Sequence, residues 1–509
     1  MLRPTAAKAV ATAATALVLL TACGGSDDKS SDAGAQGGGE TPAGTPSTPS
    51  VASFDPPKTF VTSSAFGVAP TKKDNQYTFT AGMVGQTTLI AGLEGISGRN
   101  IAAQGKAWFY PATELDTTET LDLSAPMGVQ VDGKDVVAIA YTQTDKGNGT
   151  QKAKGQVVFQ WIDAAEGTKV AEVIADLTPA LGPGAGADDV VSQAYDATTG
   201  QIALGVSPYN GPKNSEAFTV YADPKTQKSS VIPDVTPAGV LNGVVVGAKG
   251  GNQEGANDGT IVVADGATGK ISKQTPVKQD YLFPASNGGT KRAYLSGHSY
   301  VKAKPGTYDG TYNNVLYSVD IATGVVVPTK SPFAADSMNY TCLGDRANAV
   351  VCTGKDNMAK EEILGLDDST GKKTWGYSKE SASRIIPDVT AAFHGIIYAQ
   401  AEVQPVLMDA ATGNDVKSGP SDSATPTEGS TPSDGSSPSE GSSPSEGSSP
   451  STGSTSQGAD PGSANGSDMS LFNGKMKSPV AVTQYGGSYL QSTMGSSFYT
   501  ILIALTPTA

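Results

Sequence analysis

Thr260-Ile-Val-Val-Ala264, Asp265-Gly-Ala-Thr-Gly269 and Lys270-Ile-Ser-Lys-Gln274 read in turn as strand, tight turn and strand. The first run is apolar and β-branched, as strands prefer. Gly269 supplies the positive φ of a hairpin, and Asp265 and Thr268 are placed to hydrogen-bond neighbouring amides. The turn recurs at Asp320-Ile-Ala-Thr-Gly324, Asp367-Asp-Ser-Thr-Gly371 and Asp409-Ala-Ala-Thr-Gly413. Degenerate copies sit at Asp163-Ala-Ala-Glu-Gly167 and Asp223-Pro-Lys-Thr-Gln227. Five steps separate Asp163 from Asp409, about 49 residues each, within the range of β-propeller blades. The role this gives the aspartates is structural.

Outward from Asp265, Asn242–Ala248 reads as a preceding strand and 249–259 as a polar loop. The same grammar fits 136–174, 190–232, 292–328, 347–378 and 395–418. The second of these carries an extra Asp196-Ala-Thr-Thr-Gly200 hairpin. Thr87–Ala91 with Lys106–Tyr110, and Ser488–Gln491 with Ser497–Ala504, add one unit at each end. The expected fold is therefore all-β: a propeller of about eight four-stranded blades over 58–417 and 475–507. Eight blades give about 49 residues each; seven would need about 56 and fit less well. The last unit lacks its outer strand, which Thr59–Ser63 is expected to supply. The two ends of the chain then close the ring. No long apolar stripe of helical period is present.

Asp367-Asp-Ser-Thr-Gly-Lys-Lys-Thr-Trp375 resembles the tryptophan docking motif of the PQQ-type (quinoprotein-like) propellers, in which a Trp after the turn packs between blades. The likeness covers most of 130–415 at the level of the turn, with Trp only at Trp375. That family holds both quinone-dependent dehydrogenases and non-enzymatic scaffolds. For the dehydrogenases it implies an adjacent Cys pair, a metal site and a Trp floor under the quinone. The chain has no adjacent cysteines, and Trp108, Trp161 and Trp375 all lie in strands and read as core. No cofactor is expected, PQQ included.

Arg3 and Lys8 precede an apolar run, Ala9–Leu20, too short for a permanent membrane span. It ends in Leu20-Thr21-Ala22-Cys23-Gly24, which resembles the bacterial lipobox. The resemblance implies a signal peptide over 1–22 and acylation of Cys23. It also implies stable anchoring at the outer face of the cytoplasmic membrane. Residues 23–57, rich in Gly, Ser, Thr and Pro, read as a tether. Residues 418–474 contain a repeated Ser-Pro-Ser-Glu-Gly-Ser unit and read as a disordered insert. Cys342 and Cys352 lie symmetrically about Ala347 in a hairpin-like stretch. In an oxidising compartment they are expected to form a disulfide, worth about 3 kcal/mol by loop-closure entropy.

Without Arg3 and Lys8, 33 basic residues face 49 acidic ones, a net charge of −16. Nucleic acid is excluded as a partner by that balance. The two histidines, His298 and His394, cannot build a triad or a metal site together, and no nucleophile elbow or phosphate loop is present. No metal site and no catalytic residue are expected.

Loop lengths carry what remains. Turns of the Asp-x-x-Thr-Gly type mark a plain end. The second-to-third loops read as long: 144–156, 207–217, 249–259, 298–314 and 354–361. By strand parity they share the other end with the insert. The candidate binding face is Lys146, Lys152, Tyr209, Asn210, Tyr300, Lys302, Tyr308 and Tyr312, since rigid scaffolds present binding residues on loops. The expected protein is a monomeric, membrane-anchored, non-catalytic module that binds a protein or a cell-envelope glycan. The alternatives are a PQQ- or metal-dependent oxidoreductase and a lipoprotein that binds a small solute. If Cys23 carries the anchor, Cys23→Ala should release the protein from membranes or block its maturation. Fractionation with intact mass measurement checks this, and equal retention of the variant with no lipid mass on the parent would refute it.

Overall fold

Ile261, Val262, Val263 and Ala264 are all buried. A strand buried on both faces must lie between two layers, which explains the unbroken apolar run. Its neighbours in order are Thr236–Leu241, Val244–Lys249, the strand itself (Thr260–Asp265) and Ile271–Pro276, all antiparallel. This is one blade, and its outermost strand is largely exposed.

The computed structural model describes residues 53–68, 79–102, 106–113, 118–147, 150, 152–182, 186–209, 217–285, 289–302, 310–356, 359–380, 383–402, 404–416, 477–494 and 498–507. Within them the chain forms eight such sheets, an eight-bladed β-propeller. Blades 1 to 7 span 80–111, 118–176, 186–232, 236–276, 281–330, 339–378 and 388–409. Blade 8 combines 481–507 with Phe60–Val68. The described helix is the single turn Thr178–Leu181.

Two blades depart from the plain form. In blade 2 the inner strand is split into Thr118–Leu123 and Met127–Val131, both paired with Lys134–Asp145. Among the described residues blade 7 has three strands, and the bridge Met408↔Asp415 continues the sheet beyond its turn.

The space between adjacent blades is filled by its own core. Phe159, Trp161, Val173, Ile202, Leu204 and Val220 fill the gap between blades 2 and 3. Met83, Ile90, Ile101, Leu502 and Ala504 help fill the seam between blades 8 and 1. Burying each large aliphatic side chain contributes about 1.5–3 kcal/mol.

The predicted closure is present. Phe60–Val68 pairs antiparallel with Phe498–Pro507, from Phe60↔Pro507 to Val68↔Leu502, as the outermost strand of blade 8. Phe60 is fully buried between blades 7 and 8. The residues before it are pinned too. Phe54 N donates to the Gln484 carbonyl at 2.7 Å, and the Tyr398 hydroxyl donates to the Pro57 carbonyl. The disulfide is also present: Cys342 and Cys352 are direct cross-strand partners with Cα atoms 4.0 Å apart.

Three readings of the sequence are corrected. Asp196–Gly200 is not an extra hairpin: it is the first-to-second turn of blade 3. The stretch 298–314 is not mainly loop, because its strands run on to Lys302 and resume at Gly310. Trp375 is not alone in docking. Its Nε1 donates to the Ala410 carbonyl of blade 7 at 2.8 Å, and Trp108 Nε1 donates to the Ala164 carbonyl of blade 2 at 3.2 Å. Trp161 Nε1 reaches the Gly200 carbonyl of blade 3 at 2.8 Å.

These bonds differ in burial: Trp161 is fully buried and Trp375 only half-buried. Trp161→Phe should cost about 2–3 kcal/mol, because a buried carbonyl loses its donor and volume is lost as well. Trp375→Phe should cost about 1 kcal/mol. Denaturant unfolding of both variants checks the order.

Candidate functional site

At the turn end the carboxylates are spent. Asp265 Oδ1 accepts the Thr268 N–H at 2.8 Å and its hydroxyl at 2.6 Å. Asp320 does the same with Thr323, and Asp409 with Thr412. The hydrogen bond from the Thr268 side chain holds the Asp265 carboxyl below its ordinary pKa. These are structural caps.

Inner strands of seven blades and the first-to-second turn of blade 5 line an axial cavity of about 340 Å³. Its walls are mostly small residues such as Gly82, Ala125, Gly239 and Ala391. Small residues are required where inner strands crowd: a Cβ on Gly82 would lie 2.9 Å from Pro126 Cβ of the next blade. Two charged residues line the cavity. Asp196 is committed to the amides of Thr198 and Asn242. Arg346, on the first-to-second turn of blade 6, reaches across to blade 2, where a Cβ on Gly128 would lie 3.7 Å from its Nη1.

The opposite end carries a different feature, on blade 5. Tyr281 pairs with His298, His298 with Asn314, and Tyr300 with Tyr312. Period-two alternation puts these side chains and Phe283 on one face of the sheet. Ring centroids of Tyr281 and His298 lie 4.8 Å apart, nearly parallel. Tyr300 and Tyr312 are 5.1 Å apart, and His298 meets Tyr312 edge-on at 6.3 Å. Phe283 completes the row, 6.1 Å from Tyr281. Phe283 is 41% exposed and the three tyrosines are half-buried, whereas His298 is buried at 7% exposure.

Two segments hold this row. The crossing to blade 6 is tied along strand Gly310–Asp320: Asn314 Nδ2 donates to the Phe333 and Asp336 carbonyls at 3.0 and 2.9 Å, and Tyr312 N donates to the Ala334 carbonyl. On the other side Asp280 accepts the Asn257 N–H at 3.1 Å and the Tyr300 N–H at 3.3 Å. Burial pushes the His298 pKa down, against the opposing pull of Asp280, the Met338 backbone and Asp336. Burial, then the charges of Asp336 and Glu254, push the Tyr312 pKa up.

The structure brings together Tyr300 and Tyr312 among the residues predicted for a binding face. Lys302 stands exposed at the end of the same strand, opposite Gly310. Lys146 is ion-paired with Glu119 at 3.0 Å and Lys152 is exposed, both on blade 2, three blades away around the ring. Tyr209 ends the strand Ile202–Tyr209 of blade 3. Cys23, Asn210 and Tyr308 lie outside the described residues. Tyr281, Phe283, Asp280 and Asp336 were missed, and so was the place of His298 in the row. The alternation Tyr281-Leu-Phe283 was the available signal. Among the described residues no group of three or more His, Cys, Asp or Glu is arranged to hold a metal ion.

No protein-family model matches the chain, and no curated protein matches it. Solved structures do resemble it. The β-propeller domain of the Trilobed protease from Pyrococcus furiosus matches with a TM-score of 0.34 and 11% identity, over 58% of this chain and 82% of that one. Dihydro-heme d1 dehydrogenase NirN matches at 0.37 and 11%, over 69% and 72%. One of two prolyl endopeptidases matches at 0.34 and 14%, over 72% of this chain and 49% of its own length. All three TM-scores lie below 0.5, so none of these proteins lends its activity to this chain.

The buried imidazole has a pH signature. Its folded pKa lies below the ordinary 6.5, so the unfolded chain takes up a proton first as pH falls. Stability should therefore be present above pH 6.5 and be lost as pH drops toward the folded value. His298→Gln should melt with a shallower loss between pH 7 and pH 5 than the parent. Parallel slopes in thermal melts would sink this assignment.

Proposed function

We propose that the protein is a lipid-anchored, extracytoplasmic, non-catalytic binding module whose partner docks on the blade 5 end of the ring. The observation that carries this reading is the row of partly exposed rings Tyr281, Phe283, Tyr300 and Tyr312, because amphipathic aromatics on a rigid scaffold are frequent interface anchors. The contrast with the turn end supports it, since there the aspartates serve their own turns.

Residues 54 and 55 are held at the turn end too, away from the row. Asp55 meets His394 at 3.0 Å, and Phe54 is bonded to Gln484. Both partners sit in first-to-second turns, of blades 7 and 8. A second reading, a small solute held in the axial cavity, is favoured by Arg346, whose guanidinium suits an anionic group.

Tyr300→Ala with Tyr312→Ala should reduce partner capture in proximity crosslinking on intact cells at least tenfold, while Thr268→Ala leaves capture unchanged. Normal capture by the double variant, with loss in a folded Thr268→Ala protein, would overturn the assignment of the face.

A further inference from the structure

Resting on that reading of the blade 5 end, we propose that the aromatic row receives a basic side chain, lysine or arginine, of a partner polypeptide. Ring faces carry negative potential and attract ammonium and guanidinium groups within about 6 Å. The row supplies several such rings, with Tyr281 and Phe283 at one end and Tyr300 and Tyr312 at the other.

The surroundings are weighted toward acceptors. Asp280 and Asp336 flank the row, and Glu254 acts on Tyr312 from the blade 4 side. The hydrogen bonds these carboxylates accept come from neutral backbone N–H groups, of Asn257 and Tyr300 to Asp280 and of Ser337 to Asp336. Among the described residues none of the three carboxylates is ion-paired with a lysine or arginine. Lys302 stands exposed at the hairpin's end.

His298 gives an independent sign. It is 7% exposed, stacks on Tyr281 and meets Tyr312 edge-on, and its Nδ1 has no hydrogen-bond partner. Buried polar atoms are normally hydrogen-bonded, and a donor arriving on the row would find in this ring nitrogen an acceptor without a partner. The Asn314 amide donor is already committed to two carbonyls, so an N–H donor suits this site better than a sugar needing donors and acceptors alike.

The row is also open, with Phe283 at 41% exposure. An open shelf encloses too little of a small free amine to hold it well. A basic side chain on a larger partner brings further contact area with it.

The test uses the purified full chain and the amides of Nα-acetyl-lysine and Nα-acetyl-arginine, followed by tyrosine fluorescence and ligand NMR. The uncharged Nα-acetyl-glutamine amide and chitotriose are the comparators. Saturable binding of the charged amides is expected, weakened about five- to tenfold by Tyr312→Ala or Asp336→Asn and by 0.5 M salt. Melting curves confirm that both variants fold. Equal binding of the glutamine amide, or binding of chitotriose in place of the charged amides, overturns the proposal. If no amide binds yet the Tyr300 and Tyr312 double variant still loses its crosslinked partner, the cationic ligand is wrong and the binding face stands. If crosslinking is also unaffected, both fall.

Discussion

One contact ties the blades together: a side-chain donor from one blade reaching a carbonyl in a turn of the next. Trp108, Trp161 and Trp375 make it with indole N–H groups. Ser230 makes it to Gly266, Lys273 to Thr323 and Gly324, and Arg292 to Ser369. The contact requires a turn that holds its carbonyls outward and tolerates close approach. The aspartate fixes the turn and glycine permits the approach. Gly413 has φ 72°, and a Cβ on it would lie 2.5 Å from the Trp375 ring. Gly167 stands in the same relation to Trp108, at 2.3 Å. The repeated turn is thus a receptor for the preceding blade as well as a hairpin. Its chemistry is preserved while the donor varies.

Different parts of the molecule were legible in the sequence to different degrees. The turns were legible because their requirement is local: a positive φ and a side chain that caps it. The second and third strands were legible because burial on both faces forces continuous apolar runs. The inner strands were not. Thr236–Leu241 contains Pro237, Ala238 and Gly239, and Gly239 is set by close approach to Ala293 and Ile321 of the next blade rather than by strand propensity. Trp108 was missed as a docking residue because the turn preceding it lacks the motif and its target is the degenerate turn at Asp163. The ring count and the closing strand followed from period and parity, which survive local ambiguity.

Of the candidate site, only half was readable. Tyr300 and Tyr312 stood out as aromatics near glycines, although they belong to strands rather than a loop. Pairing across the hairpin continues to Lys302↔Gly310, so the rings sit within a hydrogen-bonded ladder. Tyr281, Phe283 and Asp336 lie on other segments, and register alone brings them beside the pair. Such convergence has no signature in a linear reading. It arises because the inner strand and the interblade crossing both pack on the same sheet face.

The closing ladder has a mechanical consequence. Tension on the N-terminal segment enters the molecule at Phe54, Asp55 and Pro57, which are held by Gln484, His394 and Tyr398. Those contacts must yield before force reaches Phe60 and its partner Pro507. Blades 7 and 8 therefore take the load first, through His394, Tyr398 and Gln484, and the outer strand of blade 8 is then peeled from its Phe60 end. The clasp that completes the circle is therefore also the fuse that a pulling force meets first.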